Sequence, residues 1–138
     1  MIIVDTSIVG PFVLPDEAAT LPPEVVNRVF DSSLIVPHHW RLEVANMLRT
    51  AVRRNRITIG QRETILRRLA SLEVIVDWLG QDQVWTTVLA LADRFELTPY
   101  DAAYLELAQR HDGALATLDR RLAAAAADLS ISLVVLQL

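Results

Sequence analysis

The chain opens MIIVDTSIVGPF (residues 1–12). Ile2, Ile3 and Val4 form a β-branched run that favours a short strand. Asp5, Thr6 and Ser7 follow at once, and a helix is predicted over about 7–14, with Pro11 in its first turns. The stretch therefore reads as a strand that turns straight into a helix, with an acid where the strand ends. In an open parallel sheet that edge is where ligands bind. One acid there settles nothing; several acids arriving together would define a site.

The same alternation runs along the whole chain. Short apolar runs predict strands at 2–4, 34–36, 114–117 and 131–136, with a weaker one at 74–76. Continuous runs of this kind suit a parallel sheet buried on both faces. Between them, helices are predicted at about 7–14, 23–31, 38–54, 60–71, 81–95, 99–111 and 119–127. Val84, Val88, Leu91, Ala92 and Phe95 form one apolar stripe in the fifth of these. Thr98 and Pro99 mark the start of the sixth as N-cap and first helical residue. Strands alternating with helices predict an α/β fold with right-handed crossovers. No repeat or linker divides residues 1–138, so a single domain is expected.

Composition narrows the chemistry. Of 138 residues, 52% are hydrophobic and 22% charged, which is globular rather than disordered. No apolar run has the length of a membrane span, and Met1 leads into a strand without a basic leader. The chain has no cysteine, which removes thiolate ligands and nucleophiles and suits the reducing cytoplasm. Any metal must be held by oxygen or by His38, His39 and His111. The net charge of −4 does not advertise nucleic-acid binding, but its distribution is uneven. Arg49, Arg53, Arg54, Arg56, Arg62, Arg67 and Arg68 face only Glu63 across residues 49–68. That run fits a solvated helical surface, a docking site for an acidic partner, or contact with RNA phosphates. All thirteen basic residues are arginine; lysine is absent.

Four acids stand out, each with an ordinary use as well. Asp5 fits an N-cap, although Thr6 and Ser7 can also cap. Glu43, Asn46 and Thr50 make a narrow polar stripe on an otherwise apolar helix, which fits either a solvated face or a cleft lining. Thr98 and Asp101 have the spacing of a capping box with Asp in place of Glu. Asp119 follows strand 114–117 and fits an N-cap for the last helix. His38 and His39 are expected to open their helix, and His111 to meet terminal carbonyls. The tyrosines and tryptophans show no stacking-platform pattern in sequence, and are expected in the core or against a partner.

Asp5 and Asp119 both end strands, and Glu43 rises in the first turns of the helix after strand 34–36, from the same edge. Asp101 joins them if its helix starts there. Four carboxylates in one pocket repel unless something positive joins them, and the candidates are arginine or a hard divalent cation. A hard divalent cation such as Mg²⁺ or Mn²⁺ accepts carboxylates and water as ligands. Such a cation lowers the pKa of a bound water and clamps a phosphodiester oxygen during in-line attack.

VDTS at 4–7, LEVANML at 42–48, LTPYDAAYLELA at 97–108 and LATLDRRLA at 115–123, in that order, resemble the PIN-domain nucleases. More narrowly they resemble VapC-type toxins of toxin–antitoxin pairs. The resemblance implies a three-layer α/β/α fold around a central, mostly parallel sheet of four or five strands. It implies that Asp5, Glu43, Asp101 and Asp119 hold Mg²⁺ or Mn²⁺. Thr6, Ser7 and Thr117 match supporting hydroxyl positions, and Asn46 matches an amide beside the helical acid. It further implies an endoribonuclease acting on transfer or ribosomal RNA, a homodimer, and silencing by a cognate antitoxin. Arg49, Arg53, Arg54 and Arg56 are the expected contacts to RNA or antitoxin. ADLSIS (127–132) departs from the pattern by lacking a glycine before the last strand, which touches a turn rather than the chemistry. Receiver domains and haloacid dehalogenase-type phosphatases also place acids at strand ends, but both need a lysine. A non-catalytic PIN-like module that binds RNA or a protein is the reading from another class.

Overall fold

The computed structural model describes residues 1–134. Four strands, β1 (Ile2–Val4), β2 (Leu34–Pro37), β3 (Val74–Asp77) and β4 (Ala114–Ala116), form one parallel sheet in the order β3-β2-β1-β4. Ile3 stands opposite both Ile35 and Leu115, so the register places the first residue after β1 beside the end of β4. The order runs outward from β1 to β3, then returns to add β4 on the other side of β1. The crossover direction therefore reverses between β1 and β4, which creates a crevice at their carboxyl ends.

Among the described residues seven α-helices cover the sheet: α1 (Thr6–Val13), α2 (Pro23–Phe30), α3 (Trp40–Arg53), α4 (Ile59–Ala70), α5 (Leu89–Phe95), α6 (Pro99–His111) and α7 (Arg120–Asp128). Helix α1 packs on α2 and α3, and α3 on α4, whereas α6 packs on α5 and α7. Right-handed crossovers account for the two groups by placing one on each face of the sheet. Ile3, Val4, Leu34, Ile35, Val36, Leu115 and Ala116 are consequently buried. Helix α6 contributes Ala102, Tyr104, Leu105 and Leu107 to the same core, all 0–1% exposed. Each strand is only three or four residues long, so helix packing against apolar strands supplies most of the driving force.

Two expectations need correction. The helix predicted over 81–95 is regular only from Leu89: a tight 3₁₀ segment (Leu79–Gln83) passes into a wider π segment (Val84–Val88) before α5. Its stripe survives in part, with Val88, Leu91 and Ala92 buried. The strand predicted at 131–136 is represented among the described residues by one parallel bridge, Leu133 to Leu115; residues 135 and 136 lie outside them. The backbone of Ser132 accepts from Leu115 and that of Val134 donates to it, at 2.8 and 2.9 Å. The turn before this bridge does want a glycine. Ser130 is held at φ 58°, the left-handed region in which a side chain is strained.

Candidate active site

Asp5 stands at the N-cap position of α1, yet its side chain makes no capping bond. Its Oδ2 instead accepts Ser7 Oγ at 2.7 Å and Thr117 Oγ1 at 2.6 Å. Those two hydroxyls come from opposite sides of the crevice, one after β1 and one after β4. Ser7 Oγ also accepts the Leu118 N–H and Thr117 Oγ1 the Asp119 N–H, at 2.8 and 3.0 Å, so both donors are locked in place. Asp5 is 6% exposed. Burial raises its pKa above the ordinary aspartate value; the Thr117 and Ser7 bonds oppose that and the Glu43 charge adds to it.

Glu43 projects from the first turn of α3 and is half-buried rather than part of a solvated face. Tyr104 OH donates to its Oε1 at 2.6 Å, Thr6 Oγ1 at 3.3 Å, and His39 Nε2 lies 3.3 Å away. Burial alone would raise the Glu43 pKa, but the bonds from His39, Tyr104 and Thr6 outweigh it and hold the carboxylate below its usual range. This acid is therefore prepared to stay ionised. Burying Tyr104 beside that charge has the converse effect and pushes its phenol far up.

Asp101 lies in the first turn of α6. Thr98 Oγ1 accepts its N–H at 3.2 Å, which forms half of the expected capping box. Its carboxyl pKa is raised by burial and then by the charges of Asp5, Asp119 and Glu43. That combination ties the four acids together: Asp101 feels the other three. Asp119 does cap α7, its Oδ1 accepting the N–H groups of Arg121 and Leu122 at 2.9 and 3.0 Å. Capping uses that one oxygen and leaves Oδ2 outside the cap.

Among the described residues no three His, Asp or Glu side chains close around a point an ion would fill. The acids lie near enough for Asp101 to feel the other three charges, without forming a cage. That suits Mg²⁺ or Mn²⁺, which commonly take one or two carboxylates and complete their shell with water and substrate phosphate. The donor set fits as well: it is all oxygen, and two of its members, Asp5 and Asp101, have pKa values raised by burial and, after it, by neighbouring carboxylates.

Other expected residues divide. Thr6, Ser7 and Thr117 all support the acids. Asn46 does not: it is exposed one turn beyond Glu43 and bonds to none of the four. Arg56 is not available as an open cation, because Asp16 holds its Nε at 2.7 Å and Glu17 its Nη2 at 2.6 Å. Arg68 is used too, donating to the Phe12 carbonyl at 2.6 Å while lying over the Phe12 ring. Arg49, Arg53 and Arg54 are exposed and make no ion pair among the described residues.

Two residues were missed by sequence reasoning. His39 does open α3 as its N-cap residue, but its side chain makes no capping bond. It reaches Glu43 and the Tyr100 carbonyl, which accepts from its Nε2 at 3.0 Å. Tyr104, expected in the core or against a partner, is buried in the core, and its hydroxyl also donates to Glu43. The signals were present as spacing: His39 and Glu43 are four apart, Asp101 and Tyr104 three apart, and such pairs share a helical face.

Similarity to known proteins agrees with this architecture. The PIN-domain family pattern matches residues 2–128. Ribonuclease VapC3 of Pyrobaculum aerophilum is 29% identical over 122 residues, covering 88% of this chain and 92% of that protein. The crystal structure of PAE2754 from Pyrobaculum aerophilum superposes with a TM-score of 0.66 at 24% identity, covering 90% of this chain and 83% of that one. FitAcB from Neisseria gonorrhoeae superposes with a TM-score of 0.62 at 16% identity, covering 96% of each chain. With an all-parallel sheet, a crevice at its reversal point and a family match over nearly the full length, the chain belongs to the PIN-domain family.

Proposed function

We propose that this protein is a metal-dependent endoribonuclease of the VapC toxin type. One observation carries the reading: Asp101 feels the charges of Asp5, Asp119 and Glu43, so acids from four separate elements share one crevice. A non-catalytic module has no use for carboxylates crowded closely enough that neighbouring charge adds to the raised pKa of Asp5 and Asp101. Mg²⁺ or Mn²⁺ bound there supplies neutralisation, a more acidic water and stabilisation of phosphate charge.

The chain's own residues divide the remaining work. Ser7 and Thr117 fix Asp5, while Tyr104, Thr6 and His39 keep Glu43 ionised. Asp101 and Asp119 complete the acidic wall. Arg49 and Arg53 on α3 and Arg54 at its C-cap, beyond Glu43, offer unpaired cations to the RNA backbone, which the acids alone would repel. Water attacks the phosphodiester in line, leaving a 5′-phosphate and a 3′-hydroxyl. Transfer or ribosomal RNA is the expected substrate class.

A cognate antitoxin is the expected partner. An apolar cleft of about 390 Å³ between α3 and α4, lined by Trp40, Val44, Leu66 and Leu69 with Arg41 among them, suits an amphipathic segment carrying acids. Homodimerisation would cover Trp85 and Leu89, which are 88% and 42% exposed. No helix among the described residues is long and apolar enough to cross a membrane, and the cytoplasm, where RNA is found, is the proposed compartment.

The test is cleavage of total cellular RNA by antitoxin-free protein with Mg²⁺, Mn²⁺ or EDTA, beside Asp5→Asn. Discrete fragments that need metal and vanish in the variant are expected. A 2′,3′-cyclic phosphate end would overturn hydrolysis by water, and an inert folded protein that binds no metal would favour the binding module.

A further inference from the structure

Beside the acids the surface becomes aromatic. Tyr100 directly precedes Asp101 and is 64% exposed. The His39 ring meets Tyr100 edge-on at 5.7 Å. His38 stacks with Trp78 at 6.3 Å and 27°, and Trp78 is 63% exposed just past the carboxyl end of β3. His38, His39, Pro99, Tyr100, Val84 and Val88 line a pocket of about 210 Å³. The π segment Val84–Val88 supplies one wall, and such wide turns are frequent at functional sites.

Size, chemistry and position point to one kind of occupant. The pocket is smaller than the ~300 Å³ lower bound of drug-sized sites, which suits one flat ring system. Aromatic faces bind unstacked bases and have little to offer a paired one. His38 makes no hydrogen bond among the described residues. Burial and the adjoining His39 hold its pKa below the usual imidazole range, with Asp77 opposing, so at neutral pH it offers one donor and one acceptor to a base edge. His39 joins the pocket to the acids, since the same Nε2 meets the Tyr100 carbonyl and Glu43. Trp85 and Leu89 do not line this pocket.

We propose that the pocket formed by His38, His39, Tyr100 and the π segment receives one unstacked nucleobase of single-stranded RNA, next to the phosphate at the four acids. This rests on the ribonuclease reading and extends it: the substrate must present a splayed base at the cleavage point, and Tyr100 and His38 select it.

The test uses full-length protein in Mg²⁺, made inactive by Asp5→Asn, with a random-sequence ten-nucleotide RNA containing 4-thiouridine. Photo-crosslinks are mapped by mass spectrometry, and affinity is read by anisotropy. Crosslinks to the Tyr100, His38 and Trp78 segments are expected, and are lost when the RNA is annealed to its complement. Adding Tyr100→Ala weakens binding by about tenfold, within the range of one base–aromatic stack, whereas Tyr100→Phe restores it. Crosslinks confined to the α3 and α4 arginines, with Tyr100→Ala binding unchanged, would overturn the base pocket and leave RNA binding standing. A protein that is folded by circular dichroism but binds no RNA would bring down both readings. A dimer in light scattering that Tyr100→Ala dissociates would assign the pocket to a second copy and overturn the proposal.

Discussion

Asp101 and Glu43 show how neighbours set the state of an acid. Asp101 has its pKa raised by burial and by three like charges. The folded metal-free protein therefore binds that proton more tightly than the unfolded chain, and its contribution to stability is lost as pH rises through the raised pKa. Asp101→Asn removes the repulsion. In EDTA at pH 7 its melting temperature should match or exceed that of the parent, while cleavage falls by at least a hundredfold. A clear loss of stability with normal cleavage would reduce Asp101 to a helix cap. Glu43 is the opposite case, because its bonds outweigh burial. Tyr104→Phe removes the 2.6 Å donor from a charged acceptor, at a cost of about 1.5–3 kcal/mol in urea unfolding. The Glu43 pKa then rises, so the acid limb of the pH–rate profile should move to higher pH. An unmoved limb would mean that Tyr104 only fills space.

At the scale of elements, the turns and ion pairs that aim the helices matter most. Ser130 occupies a left-handed conformation between α7 and the bridge at Leu133. Ser130→Gly relieves about 1 kcal/mol of strain and should raise the melting temperature without touching activity. No gain would mean that the loop relaxes freely. A second device ties α6 to β3. Arg110 donates to Glu106 at 2.8 Å through Nε and to Asp77 at 3.1 Å through Nη1. Both acids are 6% exposed at their side chains. Arg110→Ala strands two buried carboxylates and should cost about 3–5 kcal/mol by denaturant titration. Because α6 also carries Asp101 and Tyr104, the loss should extend to cleavage even below the melting temperature. A cost under about 1 kcal/mol would show that water replaces the guanidinium.

For the whole molecule, the proposed metal site would be a stability deficit that a bound cation reverses. Carboxylates crowded at the sheet's reversal point cost free energy until a cation joins them. Mg²⁺ or Mn²⁺ at a hundredfold excess over its dissociation constant would stabilise the fold by about 2.7 kcal/mol. Calorimetry should show a metal-dependent rise in melting temperature for the parent and a much smaller one for Asp5→Asn. Equal rises in both would place the binding elsewhere. The arrangement also explains why β1 is followed by two hydroxyl residues: Thr6 turns to Glu43 and Ser7 to Asp5, so one strand end serves both sides of the crevice.

The sequence by itself determined the α/β alternation, the strand ends bearing Asp5 and Asp119, and the helix starts bearing Glu43 and Asp101. Those features follow from local periodicity, capping and turn chemistry, which act over a few residues. The family resemblance marked a missing glycine within ADLSIS, and the structure shows that Ser130 is the position held in the left-handed region. Tertiary structure alone decided which reading of each acid holds. Asp5 lost its capping role because Thr117, 112 residues away, meets its carboxylate. Glu43 left the solvated face because Tyr104 closes over it from α6. Arg56 left the basic surface because Asp16 and Glu17 reach it from the preceding crossover, between β1 and β2. The π segment and the aromatic pocket beside it depend on how α5 and α6 pack. Sequence spacing reports which side chains share a face; the charge and hydrogen-bonding state of a buried group is set by whatever the fold brings opposite it.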